Sequence, residues 1–149
     1  MSQEKIFISE SNFEKARKKI RENSGKFIIF TGDDEISRKI LEKEKVSVLL
    51  INESGRNDFM KQRDSGLDRV IARLATKNKV LIGINFEEIV ESDKKTKAKI
   101  LSRIIQNIEI CKKEKTNMTF VSKKNDLEKN SVLALGLSLG MPTDMLKII

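Results

Sequence analysis

Val46-Ser47-Val48-Leu49-Leu50-Ile51 is a near-continuous apolar run of strand length, and it sets the class of fold. A strand with one wet face alternates apolar and polar residues. A run like this one is buried on both faces, as strands are in parallel sheets covered by helices. Its neighbours fit that reading. Upstream, Gly32-Asp33-Asp34 reads as a turn and helix start, with Ile36, Ile40 and Leu41 at helical spacing. Before it, Lys26-Phe27-Ile28-Ile29-Phe30 is another strong strand.

The pattern repeats towards the N-terminus. Lys5-Ile6-Phe7-Ile8 is a β candidate. Ser11 starts a helix, with Glu14 completing a capping box, and Phe13, Ala16 and Ile20 fall on one face. Ser24-Gly25 ends that helix.

Downstream, Asn52 to Asp64 is a polar loop, and Ser65-Gly66-Leu67-Asp68 opens a helix to Lys77 that buries Leu67, Val70, Ile71, Leu74 and Ala75. Val80 to Ile84 is the next strand. Ser92 to Lys115 is the longest helical stretch, with an apolar stripe of Ala98, Leu101, Ile104, Ile105, Ile108 and Cys111. Met118 to Val121 is a last short strand, and Leu127 to Leu139 a final helix closed by Gly140 and Pro142.

Strands and helices alternate, so the expected fold class is α/β: a mostly parallel sheet of five or six strands with at least four covering helices. The chain has 149 residues. A complete eight-stranded barrel typically takes about 250 residues. The expectation is therefore one domain over residues 1–149, an open sheet or a shortened TIM-barrel-like (β/α) arc.

Composition excludes several chemistries. There is no histidine, hence no His base, no His-ligated zinc and no Ser-His-Asp triad. The single Cys111 cannot form an internal disulfide, which fits a reducing compartment. The sequence contains neither Trp nor Tyr, so a stacking surface would be thin. With no signal-peptide-like apolar run at MSQEKIFISES and none of membrane-span length, the expected location is the cytoplasm. The net charge of +8 favours an anionic partner, nucleic acid first and acidic protein second; it also fits a merely solubilising surface.

Basic residues cluster in three places. The loop after Val46–Ile51 carries Arg56, Lys61 and Arg63 among Asn57, Asp58, Gln62, Asp64 and Ser65. Loops at the C-terminal ends of parallel strands are where α/β folds bind ligands, and Arg suits phosphate. The same loop also reads as solvated, with Asp64 and Asp68 pairing Arg63 and Arg69. Between residues 94 and 115, eight cations face two acids, and Lys95, Lys99 and Arg103 recur every four residues as a basic ridge. Lys123 and Lys124 follow the last strand and share its edge with the first loop. Both of these groups equally suit a solvated surface, as do Arg17, Lys18, Lys19 and Arg21. Asp33-Asp34-Glu35 reads as an acidic first helical turn rather than a metal site, Cys111 as core, and Gly83 as a mark of close packing.

The run Gln62-Arg63-Asp64-Ser65-Gly66-Leu67-Asp68-Arg69-Val70-Ile71-Ala72-Arg73-Leu74-Ala75, followed by Asn78-Lys79-Val80-Leu81-Ile82-Gly83-Ile84, resembles the archaeal ribonuclease P protein component 3 family. Ala98 to Cys111 is similar to that family's helix with its Arg, Asn and Cys, and Leu135 to Met141 to its closing stretch. Residues 26–146 can be laid along the family pattern. The resemblance implies a TIM-barrel-like subunit of ribonuclease P, which removes the 5′ leader from precursor tRNA. It further implies that the RNA subunit performs the Mg²⁺-dependent hydrolysis, that the protein binds no cofactor or metal of its own, and that it pairs with ribonuclease P protein component 2 and works alongside other ribonuclease P proteins. The terminal helix around Leu133, Leu137 and Leu139 is one candidate for that protein contact, or simply core. Against the family, the chain reads as shortened at the N-terminus and compressed at Ser122 to Asp126, and Arg69, which joins Arg56, Lys61, Arg63, Lys95, Lys99, Arg103, Lys123 and Lys124 as a candidate RNA contact, stands where His is common. Two alternatives stay open: a stand-alone basic RNA-binding protein, and a small enzyme acting on a phosphate ligand, for which a compact closed anion pocket would speak.

Overall fold

The structure is a computed structural model that describes residues 4–56, 64–124 and 126–149. Five strands, β1 (Lys5–Ser9), β2 (Phe27–Thr31), β3 (Val48–Ile51), β4 (Leu81–Asn85) and β5 (Met118–Val121), form one sheet in the order β1-β2-β3-β4-β5, all pairs parallel. The connections run through α1 (Phe13–Glu22), α2 (Asp34–Lys43), α3 (Arg69–Lys77) and the pair α4 (Phe86–Glu91) and α5 (Lys94–Glu114); α6 (Lys129–Ser138) follows β5. The alternating pattern, the strand count and the parallel sheet are as the sequence predicts. No helix among the described residues is long and apolar enough to cross a membrane.

A strand order that follows the chain, with crossovers of one hand, puts every helix on the same face of the sheet. That is what the core shows. Ile8, Ile28, Phe30, Leu49, Ile51, Ile82, Ile84, Met118 and Phe120 pack with the helices, through Ala16, Ile20, Ile40, Ile71, Ile104 and Ile108 among others. The opposite face carries Ile29, Val48, Leu50 and Val121, packed with Phe7, Phe27, Leu81 and Ile149 and with no helical residue. All four residues of β3 are buried, as expected, yet helices cover only one of their faces. The sheet curls to protect the other. Side chains from β1 and β2 (Phe7, Ile29) meet those from β5 (Val121) and the C-terminal Ile148 and Ile149 around one cavity of about 140 Å³. Lys123 Nζ lies 5.0 Å from the centre of the Phe7 ring, over the same gap. β1 and β5 are not ladder partners. Beyond β5, Met118 donates its N–H to the Met145 carbonyl at 3.0 Å and accepts from the Lys147 N–H at 2.8 Å, a single parallel bridge in the place of a sixth strand. Gly83 lets this inner layer close. A Cβ there would stand 2.8 Å from Val48 Cγ1 and 3.1 Å from Val121 Cγ2, the close packing its place in a strand suggests.

At every described helix but α4, a polar side chain fixes the start. Asn12, Asp33, Asp68, Asp93 and Glu128 each accept a hydrogen bond from an N–H of the first turn. At α1 the cap is Asn12, one residue past the expected Ser11. Two further corrections bear on function. Phe86–Glu91 is a separate helix, unseen in the sequence because six residues are too short for a helical period to register. The buried stripe of α5 also differs from the expected one: Ile100, Arg103, Ile104, Asn107, Ile108 and Cys111 are buried, whereas Ala98 and Ile105 are exposed. In α3, Val70 is likewise exposed and Ala72 buried. Burial pushes the Cys111 thiol up to about 12, which fits its reading as core.

Candidate nucleic-acid interface

The parallel sheet sends the chain leaving β3, β4 and β5 to one edge, so Arg56, after β3, and Lys123 and Lys124, after β5, lie towards one rim. Lys61 and Arg63, with Asn57, Asp58 and Gln62, lie outside the described residues. The base of their loop is built in detail, from both chain ends and from α5. Arg56 has a side chain only 16% exposed and faces inward. Its Nε donates to the Asn52 carbonyl at 2.7 Å; its Nη atoms donate to Asp34 at 3.1 and 3.2 Å and to Asp64 at 3.3 Å. Gly66, at φ +75°, gives the guanidinium its seat, since a Cβ there would overlap it. Of the pairing expected for this loop, the Asp68–Arg69 half has different partners, since Asp68 caps α3 and Arg69 pairs with Glu114; Asp64 pairs with Arg56, and its expected partner Arg63 lies outside the described residues.

Arg103 corrects the expected basic ridge. It is 4% exposed, and its Nη1 and Nη2 donate to the carbonyls of Glu53 and Arg56 at 2.9 and 2.8 Å. One turn on, Asn107 donates to Glu53 Oε1 at 2.8 Å and to the Ser65 carbonyl at 3.1 Å. The i, i+4 spacing that suggested a solvated ridge instead turns this part of α5 towards the loop. Lys99 and Lys95, one and two turns before Arg103, are exposed. A helix of 21 residues is about 31 Å long, against about 14 Å for the nine of α3, so the first turns of α5 reach past the rim. Those turns carry Lys94, Lys95, Lys97 and Lys99 and no acid after the cap Asp93. Cations at a helix N-terminus oppose the macrodipole, so local stability does not explain this cluster.

Glu53 is the buried acid of the knot. Burial pushes its carboxyl up to about 8, against the pull of Arg56, Asn107 and Arg103. Arg56 Nε approaches Glu53 Oε2 to only 3.6 Å and is already engaged by Asn52, so burial prevails over that pairing. Glu88 sits alongside, accepting the N–H groups of Glu53 and Ser54 at 2.8 and 2.9 Å, and burial raises its carboxyl too.

The β5 end of the rim is mixed in charge because of α4. Glu87 accepts the Lys123 N–H at 2.6 Å, and Glu91 pairs with the Lys124 ammonium. Arg69 lies away from the loop, with its Nε on Glu114 Oε1 at 2.9 Å; Arg73, absent from the sequence-derived candidates, takes Oε2 of the same carboxylate at 2.8 Å. The signal for Arg73 was present as the i, i+4 spacing. Among the described residues there is no cluster of three His, Cys, Asp or Glu side chains able to hold a metal ion.

Comparison with known proteins gives a consistent answer. No protein-family model matches the chain. It is 32% identical over 119 residues to ribonuclease P protein component 3 of Methanococcus maripaludis strain S2, a match spanning 80% of this chain and 49% of that one. The same protein of Methanocaldococcus jannaschii is 33% identical over 96 residues, 64% of this chain and 39% of the relative. The chain spans about half the length of the curated relatives it matches first. In fold it is similar to a chain in a cryo-EM structure of archaeal ribonuclease P with mature tRNA, at TM-score 0.79 and 24% identity, over 96% of this chain and 62% of that one. The sequence match reaches through the polar knot as well as the core, and on it the chain is a homologue of archaeal ribonuclease P protein component 3.

Proposed function

We propose that the chain is a protein subunit of ribonuclease P that contacts RNA and supports the RNA subunit in removing the 5′ leader from precursor tRNA. The observation that carries this reading is the 32% identity over 119 residues to component 3 proteins. The chemistry agrees with it. Without histidine, the chain offers no imidazole base; hydrolysis is the work of the RNA subunit with its Mg²⁺, and the protein supplies cations and a rigid frame. Lys95 and Lys99, projecting past the rim, and Lys61 and Arg63 between Arg56 and Asp64 in sequence are its proposed RNA contacts, with Lys123 at the far end. Arg56 and Arg103 act from inside, holding the chain on either side of residues 57–63. Component 2 is the proposed protein partner. Leu137 in α6 is 56% exposed, while Leu133 of that helix and Leu139 at its C-cap pack on the core, so Leu137 is the large apolar side chain that α6 offers to it.

Reconstitution tests the proposal. The chain alone, freed of nucleic acid, should not cleave precursor tRNA in Mg²⁺. Added to an archaeal ribonuclease P RNA with component 2, it should raise the rate or lower the Mg²⁺ needed. Tight RNA binding with no effect on cleavage would favour a stand-alone RNA-binding protein.

A further inference from the structure

We propose that Arg69 and Arg73, aligned by Glu114, contact successive phosphates of an RNA strand on the α3–α5 face, a site separate from the loop rim. This rests on the reading of the chain as an RNA-contacting subunit and adds a place and a geometry to it.

The two arginines stand four residues apart on α3, so they rise from one side of the helix with Cβ atoms about 5–6 Å apart. Both side chains are well exposed, 65% and 60%, whereas Glu114 between them is 10% exposed. Each gives the carboxylate its Nε only, one to each oxygen. The Nη1 and Nη2 groups of both guanidinia make no other hydrogen bond among the described residues, so each leaves a planar fork free for a phosphate.

The backbone that carries this carboxylate is itself fixed. The Glu114 carbonyl lies 3.1 Å from Thr76 Oγ1, which is 2.7 Å from Thr116 Oγ1, and Thr116 donates to the Ala72 carbonyl at 3.0 Å. Arg69 and Arg73 are thus held in line by a rigid joint between two helices. Lys77, exposed, continues the line one turn further. A row of like charges along one helix suits a linear polyanion; an acidic protein surface calls for interleaved signs.

A second trio shows what a purely structural version looks like. Arg17 and Arg21 on α1 also stand four apart and also reach one carboxylate, Glu44 at the end of α2. There both Nε atoms share the same oxygen, at 3.4 and 2.8 Å. Arg17 is 28% exposed, lies 5.3 Å from the Phe13 ring centre, and has Glu14 as a further partner. That trio joins helices and leaves one fork largely covered. The α3–α5 trio joins helices and leaves both forks open.

Glu114 makes the proposal sharply testable. Glu114→Gln raises the net charge, so undirected attraction predicts tighter RNA binding; loss of alignment predicts weaker binding. The probe is a labelled archaeal ribonuclease P RNA transcript, titrated with the purified chain over a salt series, with melting curves on every variant. Arg69→Gln with Arg73→Gln should weaken binding and flatten the log K against log salt slope by about 1.4–1.8, two phosphate contacts' worth. Arg69→Lys with Arg73→Lys should keep most of the slope but lose affinity, since the charges stay and the forks go, and it serves equally if the Gln pair fails to fold. The charge-matched Lys18→Gln with Lys26→Gln should bind more tightly than the Arg-to-Gln pair. The proposal is overturned if the folded Arg-to-Gln pair matches the parent in affinity and slope, or if Glu114→Gln binds more tightly. It also fails if polyglutamate of equal charge displaces the transcript as well as unlabelled RNA does, which would mark an acidic-protein surface. A parent that binds but is indifferent to these changes removes only this inference; a parent that does not bind RNA removes the function reading with it.

Discussion

The knot that joins Glu53 and Arg56 to α5 and the trio on the α3–α5 face are made from the same residue types and do opposite things with them. In the knot, Arg56 and Arg103 direct their guanidinia at carbonyls and carboxylates of their own chain and are largely or wholly buried. In the trio, Arg69 and Arg73 give one N–H each to a carboxylate and keep the rest towards solvent. Burial makes the difference. A cation taken out of water must have its donors satisfied inside the protein, so it becomes a fastener; a cation at the surface needs only one anchor to be oriented. A basic residue in sequence is therefore an ambiguous sign of RNA binding until its depth is known.

The contrast yields a graded set of tests. The largest effect belongs to the centre of the knot. Arg103→Met leaves the Glu53 and Arg56 carbonyls without their charged donors and should lower unfolding stability by about 3 kcal/mol, read as a shifted urea midpoint. If the midpoint does not move, Arg103 is not a fastener. Next comes Gly66→Ala, which forces a side chain into the left-handed region and onto the Arg56 guanidinium; a loss of about 1–3 kcal/mol is expected. A neutral result would mean that the guanidinium has room to shift.

Glu53 gives a pH signature. Its carboxyl is raised from 4.5 to about 8 by burial, so the folded chain holds a proton that the unfolded chain has already released. Its contribution to stability is present below 4.5 and is lost as pH climbs towards about 8. Thermal melts of Glu53→Gln across this window should show a flatter decline than the parent. Equal slopes would show that Glu53 is ionised when folded. The carboxylates with lowered values, Glu114, Glu10 and Glu128, act in the other direction, losing their contribution as pH falls below the ordinary carboxylate range.

The smallest effect on stability, and the one that separates fasteners from contacts, lies at the start of α5. Lys95→Ala with Lys99→Ala should leave the urea midpoint unchanged or slightly raised, because the macrodipole disfavours cations there. The same variant should weaken RNA binding and reduce the salt slope. Loss of stability without loss of binding would reverse the assignment.

What the sequence determined by itself was the architecture. The doubly buried run at Val48–Ile51, the alternation on either side of it and the capping residues specify a parallel sheet with helical crossovers, because burial pattern and backbone hydrogen bonding are local consequences of side-chain order. The Gln62–Ala75 run carried the family resemblance in the same way, through residue types at fixed spacing. Tertiary structure alone decided the rest. The unhelical face of the sheet is closed by curvature and by Ile149, which no local pattern encodes. Arg103 and Lys99 share a spacing and a charge, yet one is buried and the other exposed, because α5 passes the Glu53–Arg56 loop at one level and rises past it at the next. Arg73 acquires its geometry from a carboxylate 41 residues away. A residue's charge is written in the chain, but its depth and its partners depend on segments that meet only when the sheet has formed.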